Sequence, residues 1–132
     1  MNDISRIPRS FMYAVKGLRH AYKTDKSFRL EVKLGLPIYI IIGWLIWPLA
    51  EWEILVFVLS YILILTVELI NTAFEKMLDR VHPDEHELIG RSKDIAAAAV
   101  LVVFLFAFFL ILLLLYTHLF AHTFSSLAHP FV

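Results

Sequence analysis

The chain contains no cysteine, so it can form no disulfide, build no thiolate metal centre and offer no cysteine nucleophile. Glycine is nearly as scarce, at four in 132 residues, and neither a GxxxxGK[ST] phosphate loop nor a kinase-type glycine-rich loop occurs. Any nucleotide site must therefore be unconventional. Charge is absent from IAAAAVLVVFLFAFFLILLLLY, 95–116, and no Lys or Arg occurs in AEWE, 50–53, or after Tyr116. The first thirty-three residues lack an apolar run and are studded with Arg and Lys, which argues against a cleavable signal peptide.

What the chain has in excess is apolar surface, at 60% hydrophobic residues, a composition outside the range of ordinary soluble domains. Three runs approach or reach the roughly 20 residues needed to cross a bilayer: LGLPIYIIIGWLIWPLA (34–50), ILVFVLSYILILTVELINTAF (54–74) and the uncharged 95–116. Backbone groups cannot stay unpaired in hydrocarbon, so all three are predicted to be transmembrane helices. Net charge is zero but uneven: eight of the twelve Lys and Arg lie in residues 1–33 and the other four in 76–93. The positive-inside bias then sets the N-terminus and the 75–94 loop in the cytoplasm and the C-terminus on the far side. Three spans in this length leave room for one domain, 1–132, with a C-terminal extension over 117–132.

Ile7, Phe11, Ala14, Val15, Leu18 and Tyr22 recur at helical steps in 6–23, with Arg9, Lys16, Arg19 and Lys23 on the remaining surface. This predicts an amphipathic helix in the headgroup plane, its cations drawn to anionic lipid or serving as phosphate ligands. Thr24 or Asp25 is placed to cap a following helix, and Pro37 to kink or rearrange the first span. His82 and His86 have the spacing of metal ligands, but Pro83 interrupts the helix between them, and loop solvation is the preferred reading. His118, His122 and His129 have no evident constellation and are expected to be interfacial or disordered. The small side chains of IAAAAV suit close helix packing.

Glu68, Asn71, Glu75 and Asp79 fall on one helix face about 80° wide, stacked over roughly 16 Å. Ionisable groups within a span usually face a bundle interior or a watered cavity and mark a functional path. A carboxylate at the depth of Glu68 has its pKa pushed upward, toward the range of a general base. Acids nearer the water suit Mg²⁺, which prefers oxygen ligands and bridges carboxylates to phosphates. Asn71 can orient either party, and Arg91 and Lys93 bring positive charge to the same end. Because three helices hardly enclose a cavity, the stripe is expected to face an adjacent helix, in this or another subunit.

VELINTAFEKMLDR (67–80) followed by HELIGRSKDIAAAAVL (86–101) resembles the signature of the small integral-membrane bacterial diacylglycerol kinases. SFMYAVKGLRHAYKTDKSFRLE (10–31) resembles their amphipathic N-terminal region. The resemblance covers nearly residues 6 to 116. It implies an all-α homotrimer in the inner membrane, each subunit with a surface helix and three spans, and active sites between subunits. The implied reaction is ATP- and Mg²⁺-dependent phosphorylation of diacylglycerol to phosphatidic acid, as part of phospholipid metabolism. Membrane lipids are further partners and no nucleic acid is expected.

Carried over residue by residue, the resemblance makes Glu68 the catalytic base, with Asn71 beside it, and Asp25 and Glu75 the metal-binding acids. Nucleotide contacts fall on Arg6, Tyr13, Asp25, Glu75, Asp84, Glu85, His86, Lys93 and Asp94. The lipid side comprises Arg6, Ser10, Ala14, Val15, Arg19, Tyr22, Ser27, Phe28, Arg29, Leu30, Glu31, Glu68 and Ala97. Position 25 is Asp where the family commonly has Glu, one methylene less reach for direct metal contact. A related branch phosphorylates undecaprenol, and the HELIGRSKD loop looks closer to the diacylglycerol branch. Two other classes compete: a proton or cation translocator using Glu68 and Asn71 as a relay, and a noncatalytic scaffold glued by the stripe.

Overall fold

The computed structural model describes residues 6–81 and 86–121, with the side chains of Arg6 and Ala121 excepted. His82, Asp84, Glu85, His122 and His129 lie outside the described residues. What is described is helical apart from short connections, with no strand among the described residues.

The amphipathic helix expected over 6–23 is α1, Arg6–Thr24. Its apolar face finds little cover within the chain: Ile7 is 72% and Phe11 71% exposed, while Ala21 is buried. Near its end, α1 is tied to its neighbours by polar contacts. The Thr24 hydroxyl donates to the His20 carbonyl at 2.9 Å and accepts from the Lys76 ammonium. The Arg29 guanidinium donates to the Lys23 carbonyl at 3.1 Å, satisfying an oxygen that the helix end leaves free.

Asp25 begins the next helix as its N-cap, its Oδ1 accepting the Phe28 N–H at 2.7 Å. α2, Lys26–Leu30, runs into a π-helical turn, Glu31–Gly35, and then α3, Leu36–Leu45. The rearrangement expected from Pro37 takes this form. Proline at i lacks an N–H and crowds the carbonyl four residues back. Widening the preceding turn, so that the Leu36 N–H reaches back to the Glu31 carbonyl, accommodates it. The run read as 34–50 is thus helical only to Leu45, because Pro48 disfavours helical backbone at Trp47.

α4, Glu51–Val81, and α5, Glu87–Leu115, are the two described helices long and apolar enough to cross a membrane. At 31 residues α4 is about 46 Å long and overshoots a bilayer core of about 30 Å. Its first turn is capped from within, Glu53 Oε2 accepting the Ala50 N–H at 2.7 Å in the manner of half a capping box. α5 starts eight residues before the expected span, at Glu87 rather than 95. The His86 side chain caps it by accepting the Leu88 N–H, and Arg91 bridges back to Glu87 at 2.5 Å, so Gly90 lies inside a helix and not in a loop. Beyond Leu115 the chain continues as a π-helical turn, Tyr116–Ala121.

Helices α3, α4 and α5 converge at the Glu53 end of the bundle, where Ile46, Phe57 and Leu114 are buried together with Tyr39, Ile42 and Leu110 around them. Lipid tails are as apolar as these side chains, so what holds this contact is close packing rather than escape from water. Gly43 permits it: a Cβ there would stand 3.3 Å from the Phe57 ring. The alanine run does not supply the tightest helix contact on α5. Ala97, Ala98 and Ala99 are exposed in the chain, and the tightly buried small residue is Ala107, where α5 meets α4.

Candidate active site

Glu68 is the deepest ionisable residue of the stripe and is buried within the single chain, 5% exposed. It lies on the side of α4 that meets α2, with the Ser27 hydroxyl beside its carboxylate and the carboxylates of Asp25 and Glu75 close enough to repel it. Glu31, first residue of the π-helical turn, faces the same cluster. Burial, then the charges of Glu68 and Asp25, push its carboxyl up from 4.5 to about 7. One of its oxygens, Oε2, is buried with no hydrogen-bond partner.

One turn along α4 from Glu68 the polar face swings toward α5. The Asn71 amide donates to Glu75 Oε1 at 3.0 Å, which leaves Asn71 Oδ1 buried and unpartnered. Asn71 also lines a groove of about 220 Å³ between α4 and α5 with Val67, Phe74, Ser92 and Ala96. At the end of the stripe Asp79 accepts a hydrogen bond from the Lys93 ammonium of α5, which raises the Lys93 pKa. The four residues that share a face in the sequence therefore divide between two neighbours.

The structure sorts the remaining expected residues. Asp25 stands at the cluster but spends one oxygen on capping α2, a task that suits the short Asp side chain. Ser27 joins Glu68, Phe28 is buried and Leu30 is exposed. Arg29 turns to the carbonyls at the end of α1. Tyr13 carries the Lys16 ammonium over its ring, 5.8 Å from the centroid. Ser10, Ala14, Val15 and Arg19 are exposed along α1 and Tyr22 is half-buried. Asp94 and Ala97 are exposed on α5, apart from the Glu68 cluster within one chain. His86 acts as a helix cap. The side chain of Arg6, with Asp84 and Glu85, lies outside the described residues.

Among the described residues no three acids or histidines are arranged to enclose an ion alone. The donors nonetheless suit Mg²⁺: an all-oxygen set, two orphaned oxygens on Glu31 and Asn71, and the habit of this ion of taking one or two carboxylates with water and substrate phosphates.

Sequence reasoning missed four features. Tyr61 donates its hydroxyl to the Glu31 carbonyl at 3.0 Å. Thr72 is 4% exposed with its hydroxyl unpartnered, and it lines a groove of about 560 Å³ between α1 and α4 with Ala14, Leu18, Leu69 and Lys76. Glu31 has its free oxygen. His118, expected to be interfacial or disordered, is half-buried with Nε2 at 3.1 Å from Glu53 Oε1. The signals were present only as residue types, a tyrosine and a threonine in an apolar run and a lone histidine past its end.

Comparison with known proteins places this arrangement. The chain is 34% identical over 114 residues to the diacylglycerol kinase of Escherichia coli strain K12, covering 86% of this chain and 92% of that one. It is 31% identical over 102 residues to the diacylglycerol kinase of Haemophilus influenzae, covering 75% and 82% respectively. The undecaprenol kinase of Bacillus subtilis is 29% identical over 102 residues, 76% of this chain and 80% of that one. With residues 12–115 matching the family described as prokaryotic diacylglycerol kinase, the span that holds every carboxylate of the cluster, the chain belongs to that family.

Proposed function

We propose that this kinase transfers the γ-phosphoryl group of ATP to the free hydroxyl of diacylglycerol at the inner membrane, with Glu68 as general base. The observation that carries the reading is the burial of Glu68 against α2, on a helix whose next two turns present Asn71 and Glu75. A lipid alcohol approaching from the bilayer meets Glu68 at the depth of its own polar group. A nucleotide approaching from water meets the opposite end of the same stripe.

Glu68 accepts the hydroxyl proton as the substrate oxygen bonds to the γ-phosphorus and the bond from that phosphorus to the β–γ bridging oxygen breaks, releasing ADP. Mg²⁺, when bound, neutralises the phosphate charge during transfer. Glu75 and the free oxygen of Asp25 are the residues to hold it. Asn71 fixes Glu75 through its amide and offers Oδ1 to the same space. Lys93 brings positive charge to this end through Asp79.

The run 34–50, which contains α3, is read as the third span, the N-terminus as cytoplasmic and the C-terminus as periplasmic, in one kinase domain assembled as a homotrimer. Diacylglycerol is preferred over undecaprenol because relatives named for it match at the higher identities. A translocator would need polar groups onward from Glu68. The next ones are engaged locally, Thr66 with the Ile62 carbonyl and Ser60 with the Phe57 carbonyl.

The test is label transfer from ATP to diacylglycerol or undecaprenol in mixed micelles, parent against Glu68→Gln. Label in neither lipid would defeat the kinase reading. Undiminished transfer by the variant would remove Glu68 as base.

A further inference from the structure

At the π-helical turn a residue from outside the acid cluster takes hold of the backbone of a residue inside it. The Glu31 carbonyl accepts two hydrogen bonds, from the Leu36 N–H and from the Tyr61 hydroxyl at 3.0 Å. The second comes from another helix, thirty residues along the chain. The Tyr61 ring also lies close against this turn at Gly35. A Cβ on Gly35 would stand 3.3 Å from the ring's Cε2 and 3.8 Å from its hydroxyl oxygen. Tyr39 also packs against this ring, centroids 4.7 Å apart.

Holding this carbonyl fixes where the turn begins, and the residue at that point is Glu31. Its side chain projects toward Glu68 and Asp25 with one buried oxygen unpartnered. A π-helical turn is a rare single-turn bulge in an α-helix, frequent at functional sites, and it would revert to α-helix by a shift of one residue in register. With α3 held against α4, such a shift turns the residues before α3 by about 100° relative to it. Glu31 would then leave the cluster.

We propose that Tyr61 is a positioning residue for phosphoryl transfer, its hydroxyl pinning the π-helical turn so that the Glu31 carboxyl stays registered against Glu68. This rests on the reading of Glu68 as the base, and adds to it a residue that touches neither substrate nor acid. Tyr61 acts through Glu31.

The experiment is steady-state kinetics in mixed micelles on Tyr61→Phe, Glu31→Gln, the double variant and Tyr39→Phe, with thermal unfolding followed for each. Tyr61→Phe is expected to lower kcat several-fold, up to about tenfold for one positioning hydrogen bond, with KM for MgATP unchanged. In the Glu31→Gln background the same change is expected to have no further effect, the signature of one residue acting through another. Tyr39→Phe, which removes a hydroxyl bonded to Ser60 rather than to the turn, is expected to match the parent. Gly35→Ala, which pushes on the same ring, is a second variant expected to repeat the loss and keeps the proposal open to refutation should Tyr61→Phe fold poorly. Parent-like kcat in Tyr61→Phe, losses that multiply in the double variant, or an equal loss in Tyr39→Phe would each overturn the proposal. Glu68→Gln in the same series separates the two ideas: its retention of activity removes the base, whereas the Tyr61–Glu31 coupling is read without it.

Discussion

Helix α4 buries two glutamates, one in its first turn and one near its middle, and the two are treated in opposite ways. Glu53 receives the Ala50 N–H at 2.7 Å and the His118 imidazole at 3.1 Å. Those hydrogen bonds, the backbone one foremost, hold its carboxyl below the usual range despite its burial. Fifteen residues and about 22 Å away, Glu68 has only the Ser27 hydroxyl to help it and meets like charge in Asp25 and Glu75. Around it Glu31 Oε2 and Asn71 Oδ1 go without partners. A buried polar group left unpaired costs about 1–3 kcal/mol, whereas a satisfied one contributes about 1 kcal/mol net. The fold satisfies its acid where the acid holds the bundle together, and leaves acids and amide unsatisfied where a ligand with hydroxyls, phosphates and a cation is expected.

The sharpest way to break this contrast is Glu68→Gln, which keeps size and removes the proposed base. It is expected to lower kcat by about 10²-fold or more while thermal unfolding stays near the parent; a parent-like rate would end the distinction between the two glutamates. Next in size are the two acids proposed to hold Mg²⁺. Glu75→Gln is expected to raise the Mg²⁺ concentration for half-maximal rate and lower the maximum by roughly 10- to 100-fold, the scale on which metal sites lose function when a supporting group is removed. Asp25→Asn should shift Mg²⁺ dependence with stability intact, because Asn caps a helix about as well as Asp; a loss of stability without a kinetic change would assign Asp25 to capping alone.

At Glu53 the expected losses are of stability. Glu53→Ala removes a cap and the His118 contact, and is expected to lower unfolding free energy by about 1 kcal/mol with kcat unchanged at temperatures where both proteins are folded. Because the folded Glu53 pKa is depressed below 4.5, its contribution is present above that value and lost as pH falls through the folded one. Glu31 has the reverse sign. Its pKa is raised from 4.5 to about 7, so the stability associated with its protonated form is full below 4.5 and declines as pH rises through about 7. Glu31→Gln is expected to flatten that decline in unfolding curves taken across the interval, the smallest of these effects since the side chain is only partly shielded.

Much of this molecule is legible in its residues. The amphipathic period of 6–23, two of the three apolar runs, Asp25 as a cap and Pro37 as a disturbance reappear as α1, α4, α5, an N-cap and a π-helical turn. Helix ends were less legible. Pro48 stops the first apolar run early, and His86 with the Glu87–Arg91 pair starts α5 inside what reads as a loop. The acid stripe was legible as a face, through the fixed 100° between successive residues.

The chain order of side chains along a helix is set by local geometry, so the sequence alone determined that Glu68, Asn71, Glu75 and Asp79 share a face and that Glu68 lies deepest in apolar surroundings. It could not say what stands opposite. Only packing brought Glu31 and Ser27 to Glu68, Lys93 to Asp79, the Tyr61 hydroxyl to a carbonyl 30 residues away and His118 to Glu53 across 65. Each of those meetings depends on how whole helices sit against one another, a quantity that no local rule of rotation or rise contains.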